Sequence, residues 1–201
     1  MAVARVRPAV VADARALAGV QAAVWTTAFA DFLPPGATRG FEHDAVAAAW
    51  AATIGAAPPS GGGVWVATEG DALVGFAAAG PADAGDLADA VGTVPDDAAG
   101  VTAVATLLVE PRWGRRGHGG RLLVAAAGAA AESGATRGVA WLPERDTASR
   151  RFFARAGWEP DGTVRTLDAG GRPLREVRVG GPVDLTFAPE PTAEELGLPL
   201  L

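Results

Sequence analysis

Apolar residues recur along this chain at two periods, and the switches between them mark out its elements. Positions 3–7 alternate around Arg5 and Arg7 and stop at Pro8, which predicts a short strand. Leu17, Val20, Val24 and Ala28 then recur at helical spacing, with Asp13 where a carboxylate favours a helix start, so a helix is expected to about Phe29. Residues 31–36 carry two prolines and read as a loop. Apolar positions 46, 49, 50, 53 and 54 predict a second helix over 44–54, closed by Gly55 and the Pro-Pro-Ser-Gly-Gly-Gly run that follows. The runs 64–68 and 72–79 flank Glu69-Gly70-Asp71, a hairpin signal that makes Glu69 and Asp71 turn residues. Residues 80–100 hold five aspartates and no basic residue, and read as a long loop of the kind that forms lids. The run 101–109 is a strand, stopped by Pro111. Leu122 and Leu123 open an Ala-rich helix to Ser133, with Gly134 as its C′ residue. A strand at 138–142 and a short helix at 146–157 follow, the helix capped by Asp146 or Thr147 and ended by Gly157. A second hairpin joins 163–167 to 174–179. This alternation of strands and helices predicts an α/β domain with a mixed sheet over residues 1–180. Residues 181–201 turn Pro- and Glu-rich and are expected to form an extended tail.

Composition narrows the chemistry. At 201 residues and 49% apolar the chain can bury one full core. It has no cysteine, which removes disulfides, thiolate catalysis and Cys-ligated metal. His43 and His118 are its only histidines, so no metal site is expected. No uninterrupted apolar stretch reaches membrane-spanning length, and Arg5, Arg7 and Pro8 break any signal-peptide core. A cytoplasmic protein with no membrane partner is expected. Lysine, asparagine and tyrosine are absent and Ile54 is the sole isoleucine, a bias that a GC-rich gene explains. The net charge of −6 argues against nucleic acid as a partner. It hides an asymmetry, because residues 101–180 hold thirteen arginines against eight carboxylates while residues 1–100 hold four against eleven. The basic part suits an anionic cofactor, and the acidic part could draw a cationic acceptor.

The basic part centres on Val109 to Leu123, V-E-P-R-W-G-R-R-G-H-G-G-R-L-L. Here a strand runs into a Gly/Arg turn and then a helix. Glycines let a backbone approach a ligand closely, and a helix N-terminus offers unpaired N–H groups to phosphate. A P-loop would need Gly-Lys-Ser/Thr and there is no lysine, and a dinucleotide fingerprint fails because Leu122 stands at its third glycine.

What the stretch resembles is the acetyl-CoA loop of the GNAT N-acyltransferases, V-x-P-x-x-[RQ]-x-x-G-x-[GA]-x-x-L-L. Val109, Pro111, Gly117, Gly119, Leu122 and Leu123 match, and Gly114 departs where the family has Arg or Gln. Asp146 to Trp158 resembles a second motif, N-x-x-x-x-x-F-Y-x-x-x-G-[FW], with Asp146 for Asn and Phe153 for Tyr. Trp25 with Phe29, and Trp50, resemble aromatic positions of the first two helices. The resemblance covers about residues 3–180. It implies a GNAT fold, an α/β domain whose mixed, mostly antiparallel sheet splays at the acetyl-CoA site and is flanked by about four helices. It also implies N-acetyl transfer from acetyl-CoA to a primary amine of a small molecule or peptide, with room for a homodimer. Pantetheine is expected along Leu107, Leu108 and Val109, with a backbone N–H at Leu108 as oxyanion donor. The phosphates are expected on Arg115, Arg116, Gly117, His118, Gly119, Gly120 and Arg121, where His118 offers its backbone and leaves its ring exposed. Asp146, Ser149, Phe152 and Phe153 are expected to line the cofactor from the second motif. Glu110 is a candidate base or a solvent-facing side chain, and Ser149 could hold a proton-relaying water. Trp25, Phe29 and His43 could shape the acceptor site or serve only as core and surface residues. Since Phe153 removes the family's thiolate acid, an acyl-CoA-binding module with little turnover is the second reading.

Overall fold

In the computed structural model, which describes residues 3–28, 43–89, 91–169, 171–185 and 187, the elements follow the expected order. They are β1 (Ala4–Pro8), α1 (Ala14–Thr27), α2 (His43–Gly55), β2 (Gly63–Glu69), β3 (Ala72–Pro81), a one-turn α3 (Ala84–Leu87), β4 (Val101–Val109), α4 (His118–Glu132), β5 (Arg137–Pro143), α5 (Thr147–Arg155), β6 (Glu159–Asp168) and β7 (Pro173–Pro182). The strands form one seven-stranded sheet in the order β1-β2-β3-β4-β5-β7-β6. Only the β4–β5 pair is parallel.

Alternation, shifted by one residue at bulges that skip Val74 and Ala105, sorts the strand side chains onto two faces. Trp65, Ala67, Val74, Ala77, Val104, Ala140 and Leu142 face α4 and α5, meeting Leu122, Leu123, Ala126, Phe153 and Trp158. Val66, Phe76 and Leu108 face α1, meeting Leu17, Val20 and Val24. Helix α2 lies outside α1 and reaches the sheet through Trp50. That ring meets Phe76 edge-on at 4.9 Å, and its Nε1 donates to Gln21 Oε1 at 2.8 Å. Trp50 is therefore a core residue.

Two segments differ from expectation. Residues 82–89 and 91–100 do not form an open lid. Asp83 caps α3 by accepting from Asp86 N at 2.9 Å, and Leu87, 1% exposed, packs on Val101, Ala103 and Val139. Arg178 of β7 donates to Leu87 O at 2.6 Å and to Asp161 Oδ2 at 2.6 Å, and Asp97 pairs with Arg137 at 3.0 Å. The segment is strapped to the sheet at the end where β4 and β5 begin. The other difference is that β7 runs two residues past the expected boundary at 180. Trp158 Nε1 donates to Pro182 O at 3.0 Å, and Leu185 and Phe187 pack on the α4–α5 core.

Candidate functional site

The sheet opens between its two parallel strands. Val101, Thr102 and Ala103 pair with Arg137, Gly138 and Val139, and beyond them β4 and β5 share no pairing. A β-bulge sits at the same level. Val104 pairs with Ala79 and Thr106 with Ala78, so Ala105 has no partner on β3, and it is exposed although its strand is central. A bulge bends its strand and raises the local twist, which turns β4 away from β5. On the other side β4 stays tight against β3, because a Cβ on Gly75 would come within 2.7 Å of Leu108 O.

The same pairing settles which N–H groups face the opening. Glu110 N donates to Val74 O of β3 at 2.9 Å. Along a strand, N–H direction alternates, so Leu108 also directs its N–H toward β3. Leu107 and Val109 direct theirs toward the open edge. The expected donor at Leu108 is corrected accordingly. Its N–H belongs to the β3 ladder and its side chain, 7% exposed, packs under α1.

At the open end β4 passes through Pro111–Trp113 into a tight turn and then α4. Arg115 and Gly117 both adopt left-handed backbone, at φ 59° and 79°. Gly117 is the N-cap, and the first intrahelical bond runs from Arg121 N to Gly117 O at 3.1 Å. The N–H groups of His118, Gly119 and Gly120 therefore have no acceptor within the helix, and the positive end of its dipole lies there. Gly119 lies against Phe152 and Leu107, and Gly120 against Phe187. Arg121 Nη1 folds back to Arg116 O at 3.0 Å.

Two turn side chains are placed otherwise than expected. His118 is buried, 2% exposed, and its Nε2 lies 2.9 Å from Glu69 Oε2. Arg116 stacks on Trp113, 4.8 Å from the ring centroid, and its Nη1 donates to Glu69 Oε1 at 3.0 Å. Burial pushes the Glu69 carboxyl up, but the His118 hydrogen bond and the Arg116 charge outweigh it and hold it below the usual carboxylate range. The hairpin signal that makes Glu69 a turn residue is local and carries no information about a partner 49 positions away.

The second motif forms the facing wall. Asp146 caps α5, accepting from Ser149 N at 2.9 Å and from Ser149 Oγ at 2.6 Å. The Ser149 hydroxyl thus donates its hydrogen bond to the cap. Phe153 is 3% exposed and lies among rings, 5.2 Å from Phe152 and 5.3 Å from Trp158. The Phe187 ring is 5.8 Å from Phe152.

The acceptor-side candidates are less concentrated. Trp25 packs, half-buried, on the cluster beneath α1. His43 begins α2 and lies against Gly19 of α1, and Phe29 falls outside the described residues. Glu110 pairs with Arg112 at 2.6 Å.

Comparison with known proteins accords with this geometry. The Acetyltransferase (GNAT) family model matches residues 23–158, and the chain belongs to that family. No curated protein matches the sequence. Among solved structures, the fold is similar to YncA of Salmonella typhimurium with its cofactor acetyl-CoA, at 21% identity, 93% of this chain, 98% of that one and TM-score 0.61. It is also similar to PaiA N-acetyltransferase of Thermoplasma acidophilum in complex with coenzyme A, at 12% identity, 87% and 98% coverage and TM-score 0.61. Ribosomal-protein-alanine N-acetyltransferase of Brucella melitensis is similar at 17% identity, 89% and 99% coverage and TM-score 0.62. Among the described residues no helix is long and apolar enough to cross a membrane.

Proposed function

We propose that this protein is an N-acyltransferase that moves an acetyl group from acetyl-CoA to a primary amine of a small molecule or peptide. The observation that carries the reading is the continuity of two features. The β4 edge stands open from Val104 to Val109, and it leads directly into a left-handed turn at the N-terminus of a fifteen-residue helix. The first can hold an amide-bearing arm through backbone pairing, and the second can hold phosphates. YncA with acetyl-CoA and PaiA with coenzyme A have similar folds, which supports the same use of the opening here.

Acetyl-CoA supplies an activated thioester. A neutral amine attacks the carbonyl carbon, the C–N bond forms as the C–S bond breaks, and one amine proton passes to water. The N–H groups of Leu107 and Val109 are the donors available to a developing oxyanion. The N–H groups of His118, Gly119 and Gly120 take the pyrophosphate, and Phe152 lies beside them. The leaving thiolate departs without a protein acid, since the chain has no tyrosine and the Ser149 hydroxyl donates to Asp146. A thiol pKa of about 8.5 makes that departure tolerable.

A second reading is favoured by Phe153. Its ring is 3% exposed and carries no donor, so an acyl-CoA-binding module with little turnover is consistent with the same cleft. Release of CoA from acetyl-CoA across a panel of small amines and peptides separates the two. Multiple turnovers with at least one amine are expected. Tight acetyl-CoA binding with no turnover on any amine would leave the binding module.

A further inference from the structure

The turn between β4 and α4 has two left-handed residues in three, Arg115 at φ 59° and Gly117 at φ 79°. Glycine adopts that backbone freely, whereas arginine does so at a cost. A turn of this kind persists without an anion only when its surroundings hold it.

The holding group is a single carboxylate from elsewhere in the chain. Glu69 ends β2 and presents one oxygen to each shoulder of the N-cap. Oε1 accepts from Arg116 Nη1 at 3.0 Å and Oε2 accepts from His118 Nε2 at 2.9 Å. Those two residues flank Gly117 directly. An ionised carboxylate can only accept, so Nε2 of His118 carries a proton. Its Nδ1 is buried and has no partner among the described residues. The Trp113 ring supports the other face of Arg116 at 4.8 Å. Glu69 itself is fixed by the ladder, paired with Ala4 on one side and Ala72 on the other.

We propose that Glu69 is a positioning residue of the acyl-CoA site. By holding Arg116 and His118 together it keeps the N–H groups of residues 118–120 aimed at the pyrophosphate, and so couples the β2–β3 hairpin to the cofactor loop. This inference rests on the acyl-CoA reading above. It reverses the simplest role for Arg116, which then acts through the turn and does not bond phosphate itself.

Calorimetry with CoA, and ligand-observed NMR with pantetheine, test it on the full chain. Pantetheine lacks every phosphate, so a change in the turn leaves it untouched, whereas general damage to the fold does not. Glu69→Gln is close in shape and keeps one carbonyl acceptor, and Glu69→Ala removes both. CoA affinity is expected to fall about tenfold to a hundredfold in the alanine variant and less in the glutamine variant, as for lost charged hydrogen bonds. Pantetheine binding should stay at the parental level in both. Arg116→Ala should weaken CoA in the parent and have no further effect in Glu69→Ala. Tighter or unchanged CoA binding in both Glu69 variants would overturn the proposal, because it would mean that Glu69 merely sequesters a phosphate-binding arginine. Equal loss of CoA and pantetheine would overturn it as well, as a structural effect. A parent that binds no CoA would instead remove the acyl-CoA reading on which it stands.

Discussion

Asp13 shows at one residue how a single carboxylate can join two elements. It accepts from Arg7 Nη1 at 2.7 Å and from Val10 N at 2.8 Å, tying β1 to the start of α1. The Arg7 hydrogen bond, working against burial, holds the Asp13 carboxyl below its ordinary value. A carboxyl depressed in the folded state stabilises above its unfolded pKa of about 3.9, and that contribution vanishes as pH falls through the folded value. Arg7 is 45% exposed, so the pair is worth about 1 kcal/mol after solvent screening. Asp13→Asn should lower the Tm at pH 7 by about 2–4 °C. The gap from the parent should close as pH falls below the unfolded value and through the lower folded one. A gap that persists once the carboxyl is protonated would assign the effect to packing. Phe153 poses a different question. Its ring is 3% exposed between Phe152 and Trp158, so a tyrosine hydroxyl there must find a partner or be buried without one. Phe153→Tyr is expected to cost about 1–3 kcal/mol of stability and to bring no gain in single-turnover rate. Faster single turnover at unchanged Tm would show that the para position opens on the cleft, and that proton supply to the thiolate limits the parent.

At the scale of elements, local chemistry decided most of what could be read in advance. Val101 to Val109 form the expected strand, Gly134 and Gly157 end their helices at φ 92° and 78°, and Gly70 turns its hairpin at φ 61°. Asp146 is the cap of α5, and Asp146→Ala should lower stability by about 0.5–2 kcal/mol, measured by denaturant midpoint at constant m. Asp146→Ser should recover part of the loss, and equal loss in both would mean that the side chain acts by some means other than capping. What stayed illegible depends on register and on distant partners. The opening between β4 and β5 follows from pairing that stops at Ala103 and from a bulge at Ala105, and neither leaves a signature in the residues themselves. The donor role shifts from Leu108 to its neighbours for the same reason, since N–H direction is set by which strand pairs where. A Gly/Arg turn is usually solvated, which predicts an exposed His118 ring. It is buried because Glu69 arrives from β2.

Across the whole molecule, two ion pairs tie the basic part of the chain to the acidic part, Arg116 with Glu69 and Arg137 with Asp97. Arg112, Arg165, Arg175 and Arg178 meet carboxylates of the basic part itself. The acidic segment 82–100 is occupied as well. Asp83 and Asp86 cap each other's backbone, Asp89 accepts from Val91 N and Thr93 N, and Asp97 pairs with Arg137. This segment joins Pro81 to Val101, at the closed end of the β4–β5 opening, while the anion turn lies at the open end. The fold therefore divides a buttress from a binding cleft, and Arg178 is the test of that division. Its side chain is 10% exposed and bonds Asp161, Thr163 and the Asp86 and Leu87 carbonyls. Arg178→Met keeps the apolar stem and leaves Asp161 and those carbonyls unmatched, so a loss of about 3–5 kcal/mol is expected. Asp97→Asn breaks a pair 56% and 32% exposed at the same end, and should cost less than about 1 kcal/mol. Below its lowered Tm, the folded Arg178→Met protein should bind CoA within about twofold of the parent, because independent sites in one fold add without coupling. If CoA affinity falls together with stability, the closed end sets the width of the opening and the strap around residues 86–88 is part of the cofactor site.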